Sequence, residues 1–319
     1  MMEIKWRTTI EIQELEPKIL YSQKILSLGS CFSVEIAQKL KSLQYQIFTN
    51  PAGITFNPIS ILTILKRVFS SDSLPEDQLN NQNGIWSHSD FHSSFNKSNK
   101  EDYILNANLN LSRASEFIKQ TEYVFITIGT AFVFEDLKTG NIVNNCHKRP
   151  SNCFKRQLLT KEQIKEALSE IKQLLDDNSQ KEINFIFTLS PVRHTRDGIV
   201  ENMHSKAICL NAIHEFINEN DRCHYFPSFE IMIDDLRDYR FYKRDLIHPN
   251  DLALDIIFNR FEKFGLFEKE EDLRNRIKNV NQSLQHKPLF PDSEEYKKFE
   301  KNRTQKINDL TSQYPWMQF

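Results

Sequence analysis

Glycine is scarce in this chain, with seven residues in 319. Those that fall at the ends of apolar runs, Gly29, Gly53 and Gly129 among them, are read as serving backbone geometry. No stretch approaches the roughly 18 uninterrupted apolar residues of a membrane span, so no membrane association is expected. The opening segment, MMEIKWRTTIEIQELEP, lacks the apolar core of a secretory leader, which points to a cytoplasmic protein. A surplus of either charge is also missing: 41 Lys and Arg stand against 43 Asp and Glu, a formal net charge of -2. Nucleic-acid binders carry a basic excess, so no such partner is expected. The five cysteines, Cys31, Cys146, Cys153, Cys209 and Cys223, are odd in number and have no zinc-finger spacing. They read as reduced thiols. The chain has no internal repeat and no low-complexity tract.

What is present suffices for a sizeable core, since 39% of residues are hydrophobic. Apolar runs of strand length recur at 24–28, 45–49, 123–128, 183–190 and 222–227. Several are continuous rather than alternating, as in strands buried on both faces. Helical stripes lie between them: Phe32, Ile36, Leu40 and Leu43; Leu159, Ile164, Leu168, Ile171 and Leu175; Met203, Ala207, Leu210, Ile213 and Ile217. Strands alternating with helices predict an α/β three-layer sandwich with a mainly parallel sheet. The Ser/Asn/Asp-rich segment 70–110 reads as an insertion forming a lid or pocket wall within a domain spanning 1–265. Residues 266–319 read as a charged helical extension packed on that domain.

Two stretches carry chemistry. In KILSLGSCFSVEIAQKL a strand hands over to a helix at Gly29-Ser30-Cys31. Ligands of open α/β sheets gather at the carboxyl ends of strands. The free amides and dipole of a helix N-terminus favour negative charge, so Cys31 is expected to ionise easily. A serine there needs a base, and Ser30 stays a second candidate nucleophile. In RDLIHPNDLALDIIFNRF, Asp245 precedes His248 by three positions and Pro249 opens a helix. A carboxylate so placed fixes a histidine tautomer and stabilises its imidazolium. His194, in SPVRHTRDG, is a rival base, and Arg193, His194 and Arg196 suit an anionic substrate group. His88 and His92 in WSHSDFHSS are four apart, but the Ser-rich context and the missing third ligand make a pocket wall the better reading than a metal site. Trp86 and Phe91 offer a sugar-stacking surface there. The charged stretch DDLRDYRFY reads as an ion-pair lattice beneath the Asp245 segment.

LGSCFS resembles the signature of the GSCFA family, of the SGNH (GDSL-like) hydrolase superfamily. NPAGITFNPISI, ITIGTAFVFE, TLSPVRHTRDGIVENMHSKA and YFPSFEIMIDDLRDYRFYKRDLIHPN are similar to family segments in family order. The resemblance implies a flavodoxin-like (SGNH hydrolase-like) sheet and acyl-ester chemistry, by an esterase or an acyltransferase. The superfamily's Gly-Asp-Ser block falls on Gly29, Ser30 and Cys31, which puts Cys31 in the nucleophile's place. Its Asp-x-x-His block falls on Asp245 and His248. Its oxyanion hole uses the nucleophile's own amide, a glycine and an asparagine. Gly53 matches the glycine, but Gly129-Thr130-Ala131 stands where Gly-x-Asn is expected. Thr130, Asn50 and Asn57 are the substitutes within reach of that block. Acylated glycans and thioesters are the substrate classes implied, with no resident cofactor and with acyl-coenzyme A as a fitting donor. The missing asparagine leaves a second reading open, a small-molecule or glycan-binding module without catalysis on the same scaffold.

Overall fold

The computed structural model describes residues 8–70 and 72–319. Residues 1–7 and Ser71 lie outside the described residues, and with them the start of the segment read for a leader and one position of the 70–110 insertion. The elements in chain order are β1 (Lys24–Gly29), α1 (Cys31–Ser42), β2 (Gln46–Thr49), α2 (Pro58–Phe69), β3 (Asn80–Gln82), β4 (Ile85–Ser87), α3 (Lys100–Ile118), β5 (Thr121–Ile128), β6 (Phe132–Asp136), β7 (Ile142–Val143), β8 (Phe154–Leu158), α4 (Lys161–Asn178), β9 (Asn184–Leu189), α5 (Ile199–Glu219), β10 (Cys223–Tyr225), the single turn α6 (Ser228–Glu230), α7 (Asp251–Gly265), α8 (Glu271–Gln285) and α9 (Glu294–Gln313).

Five strands form the central sheet in the order β10-β9-β5-β1-β2, every pair parallel. Counted by appearance, this is the doubly wound order 2-1-3-4-5, the flavodoxin-like arrangement expected from the resemblance. The chain reverses its winding between β1 and β5, the kind of switch point at whose carboxyl edge open α/β sheets bind their ligands.

The continuous apolar runs are buried because both faces of the sheet are covered. Side chains alternate along each strand. Val124, Ile126 and Ile128 of β5, with Phe185, Phe187 and Leu189 of β9, meet buried residues of α2, α3, α4 and α5. Tyr123 and Phe125, with Ile186, meet α1, α7 and α8 on the other face. Helix starts are fixed locally. Asn57 caps α2 through the Ser60 amide at 2.9 Å, Thr160 and Gln163 form a capping box on α4, and Asn250 caps α7 through the Ala253 amide at 3.0 Å. Leu273, Ile277 and Val280 of α8 and Leu310 of α9 are buried in the second core, so both C-terminal helices pack on the sheet domain.

Two elements differ from the sequence reading, and a third is the expected wall. The buried stripe of α5 runs through Asn202, Ser205, Lys206, Cys209, Ala212, Ile213 and Phe216, leaving Met203 exposed. Residues 132–158 hold a small antiparallel sheet, β7-β6-β8, where no strands were expected. The 70–110 segment is an ordered wall, the β3–β4 hairpin followed by the first turns of α3, whose Tyr103 and Ala107 enter the core.

Candidate active site

β1 delivers Gly29-Ser30-Cys31 to the carboxyl edge of the sheet. The Gly29 amide donates to Asn50 Oδ1 at 2.8 Å and the Ser30 amide to Thr127 O at 3.2 Å, which fixes the turn against β5. Ser30 is the N-cap of α1 but its side chain makes no cap bond. It is 1% exposed, and its Oγ is buried without a partner. Cys31 is the first residue of α1 and only half-buried. Burial pushes its thiol above the ordinary value. The Phe32 amide pulls the other way, Glu35 adds to the rise, and Lys206 and the Cys31 amide oppose it. The easy ionisation expected from the helix tip is therefore not found: desolvation outweighs the two amides, and Cys31 rests as a thiol.

Asp245 and His248 meet locally. His248 Nδ1 lies 2.8 Å from Asp245 Oδ2, while the Ile247 and His248 amides donate to Oδ1 at 2.9 and 3.0 Å. Those amides, with the imidazole, hold the Asp245 carboxyl down to about 2. The segment reaches α1: Lys243 Nζ is 3.9 Å from Glu35 Oε1, one turn into the helix from Cys31. It also joins the loop after β9, where the Arg193 amide donates to Ile247 O at 3.4 Å and Arg193 lies over the Tyr242 ring. The charged stretch before it contributes the ion pair of Asp235 with Arg260 of α7, at 3.0 Å.

His194 comes to the same place. A carbon built on Gly129 would lie 3.3 Å from His194 Nε2 and 3.5 Å from Ser30 Cβ, so the ring and the Gly-Ser-Cys turn share one wall. Its ring stands edge-on to Phe56 at 5.3 Å. Burial pushes it down to about 4, helped by Lys206 and Arg156 and by His248, against Asp197. His88 is likewise held at about 4 by burial. Above pH ~6.5 both rings are neutral in folded and unfolded chains alike. Between ~6.5 and 4 the unfolded chain takes protons that the folded one refuses, so stability falls with pH, by at most about 3 kcal/mol per ring. The urea midpoint is expected to drop steadily from pH 7 to 4, and His194→Gln to flatten that slope; parallel slopes for variant and parent count against this account.

Four of the expected oxyanion donors, Asn50, Gly53, Thr130 and Asn57, are occupied. Asn50 Nδ2 is bonded to Gly29 O at 3.1 Å and Ser33 Oγ at 3.3 Å. The Gly53 amide closes a turn onto Asn50 O at 2.9 Å, and His92 Cβ packs where a Gly53 side chain would stand. Thr130 Oγ1 shares a hydrogen bond with Ser205 Oγ at 2.9 Å and accepts from the Phe132 amide at 3.0 Å. Asn57 is spent on Ser60. The Cys31 and Phe32 amides, which face the sulfur, are the donors the turn presents.

His88 and His92 sit in different surroundings. His88 is buried against Arg67 and Gln78 and lines a polar cleft of about 590 Å³ between the insertion and the small sheet, with Asp90, Asp136, Asn141 and Arg149. His92 Nδ1 caps the turn at Ser94. Among the described residues no group of three His, Cys, Asp or Glu is placed to hold a metal ion.

Sequence reasoning missed the inner face of α5. The Asn202 Oδ1 atom accepts the His194 amide at 2.8 Å, Ser205 Oγ accepts the Ala131 amide at 2.8 Å, and Lys206 Nζ donates to Ser190 O at 2.6 Å. Three polar side chains thus hold the exits of β5 and β9 in place. Their spacing, positions i, i+3 and i+4, is the signal that was there to be read.

Similarity agrees with this layout. One family model, the GSCFA family, matches residues 24–261, and another, the GSCFA domain protein C-terminal domain, matches residues 277–319. No match is found among curated proteins. Among solved structures, a family 3 carbohydrate esterase of Clostridium thermocellum is 12% identical with a TM-score of 0.34, over 79% of this chain and 97% of its own. A carbohydrate esterase family 3 protein from Talaromyces cellulolyticus is 10% identical with a TM-score of 0.33, over 81% and 99%. The Gly29-Ser30-Cys31 turn, the Asp245–His248 pair and all five strands of the central sheet lie inside the first match, and the chain belongs to the GSCFA family.

Proposed function

We propose that the protein is an acyl-ester hydrolase or acyltransferase with Cys31 as nucleophile and His248, oriented by Asp245, as base. The observation that carries this reading is the 2.8 Å contact of His248 Nδ1 with Asp245 Oδ2. Contact with a carboxylate places the ring proton on Nδ1, so Nε2 is the basic nitrogen. Since burial keeps Cys31 a thiol, attack needs such a base. The Sγ–C bond forms at the acyl carbonyl as His248 Nε2 takes the thiol proton. That proton passes to the departing alcohol or thiol as its bond to the acyl carbon breaks. Water or a sugar hydroxyl then attacks the thioester, giving its proton to His248, and the C–S bond breaks with the thiol reprotonated. The Cys31 and Phe32 amides at the α1 tip suit the oxyanion. Acylated glycans and thioesters fit the resemblance.

The test is acylation itself. With p-nitrophenyl acetate the expected outcome is a burst of nitrophenolate and an acetyl group mapped to the Cys31 peptide. Faster loss of that adduct on adding a sugar acceptor marks a transferase; indifference to it marks a hydrolase. A second reading, a binding module without catalysis, is favoured by the four occupied oxyanion candidates. Retained binding of acetylated oligosaccharide with no adduct on Cys31 would establish it over the first.

A further inference from the structure

The cleft between the insertion and the small sheet has a volume of about 590 Å³, inside the range of about 300–1,000 Å³ common to small-molecule sites. Neither the Gly29-Ser30-Cys31 turn nor the Asp245–His248 pair lines it. Its polar groups are held in place before any ligand arrives. Asp90 is 8% exposed, and its Oδ2 accepts from Arg67 Nε of α2 at 2.5 Å. Arg67 Nη2 also donates to Gln78 Oε1 at 2.9 Å. On the opposite wall, the buried Asp136 carboxylate accepts from Arg149 and from the Lys138 amide. These bonds fix the two walls. They leave Asp90 Oδ1 and the Asn141 side-chain amide, both in the lining, without a hydrogen-bond partner among the described residues. A polar group so buried is ordinarily satisfied, so the free Asp90 oxygen marks a place for a donor from outside the chain.

The charges of the lining balance. Three cations, Arg67, Lys138 and Arg149, stand with three carboxylates, Asp77, Asp90 and Asp136. His88, held at about 4 by burial, adds no charge near neutral pH. An anionic ligand would meet the carboxylates and a cationic one the guanidinium groups, so neither sign is favoured. A hydroxyl both donates and accepts. It gives to Asp90 Oδ1 and takes from the Asn141 amide without breaking either ion pair. Ile59, Ile142 and Val143 add an apolar strip to the same lining, which suits the C–H face of a ring that carries hydroxyls on its edge. We propose that this cleft is a binding site for a neutral oligosaccharide, seating a sugar ring between α2 and the β6–β7 hairpin, apart from the Gly29-Ser30-Cys31 turn. The proposal does not rest on Cys31 being the nucleophile. The paired side chains are already ordered, so binding costs little of their rotamer freedom.

The test is isothermal titration calorimetry of the full chain with xylotetraose, cellotetraose, mannotetraose and maltotetraose. At least one is expected to bind with a dissociation constant of about 1 mM or tighter. Citrate and spermidine, as anionic and cationic controls, are expected not to compete with it. Asn141 stands on an exposed turn and its side chain has no bond to lose, so Asn141→Ala is expected to keep the parent's urea midpoint. The same variant is expected to weaken the sugar about fivefold, the scale of one hydrogen bond. Thr63→Trp, which fills the cleft from α2, is expected to abolish binding; should it not fold, Asn141→Ala decides. No binding by any of the tetrasaccharides overturns the proposal, as does displacement by citrate or spermidine. Undiminished affinity in Asn141→Ala also overturns it, because the sugar then sits elsewhere. Binding is read without turnover, so the two readings fail separately. Sugar held in this cleft with no acyl adduct on Cys31 removes the reaction alone, and an adduct without sugar binding removes this inference alone.

Discussion

Cys31→Ala is expected to lower the turnover of an activated acyl ester by about 10³ or more, the scale on which removing a nucleophile leaves only positioning and oxyanion contacts. Ser30→Ala is expected to stay within about threefold of the parent. The contrast follows from burial. Ser30 Oγ is sealed without a hydrogen-bond partner, so it neither reaches a substrate nor meets an imidazole, and removing it takes away an unsatisfied polar atom. Cys31 shares the turn but is only half-buried at the first position of α1. His248→Ala is expected to cost nearly as much as Cys31→Ala, because a thiol that burial keeps protonated cannot attack unaided. Asp245→Asn keeps the turn that the Ile247 and His248 amides make but loses the charge behind the imidazole, with an expected loss of about 10³ to 10⁴. Steady-state rates with p-nitrophenyl acetate check all four. If Ser30→Ala abolishes turnover while Cys31→Ala retains it, the roles assigned to the two residues are reversed.

How much of this was legible depends on whether the deciding contacts are local. The five core strands were visible because continuous runs such as that at 183–190 are buried on both faces and bounded by polar turns. The small sheet β7-β6-β8 was not. Phe154–Leu158, FKRQL, looks like a charged loop, and what makes it a strand is its pairing to β6, with the Arg156 guanidinium over the Phe134 ring. The stripe of α5 was misphased for a related reason. Apolar residues lie all round that helix, and its buried side is set by the backbone amides of the β5 and β9 exits, which need Asn202 and Ser205. The Asp245–His248 pair spans three residues and could be read from spacing, whereas the oxyanion donors could not. Whether Gly53, Thr130 or Asn50 has a free donor is decided by partners elsewhere in the fold, and each is already taken. The thiol of Cys31 belongs with them: the helix tip is a local feature, whereas the burial that pushes the thiol up is set by the whole fold.

Gly29→Ala is expected to be the most damaging single methyl group in the chain, with a loss of about 3 kcal/mol or more, enough to leave little folded protein. Gly29 has φ of +124°, and a side-chain carbon there would stand 2.1 Å from the Thr127 carbonyl oxygen of β5. That oxygen is backbone in the centre of the sheet and already accepts the Ser30 amide, so it has nowhere to go. Relief requires β1 and β5 to part, which breaks the Gly29–Thr127 register and pulls Gly29 away from both hydrogen bonds of the Asn50 amide. Gly140 separates the steric effect from the dihedral one. Its φ is +71°, but open space surrounds it, so Gly140→Ala carries only the backbone penalty, about 1 kcal/mol. Urea denaturation of the two variants gives the comparison. Equal losses in the two would mean that the close approach of β1 to β5 is not what fixes the turn. A large loss confined to Gly29→Ala would tie the geometry at Cys31 directly to the packing of β1 against β5.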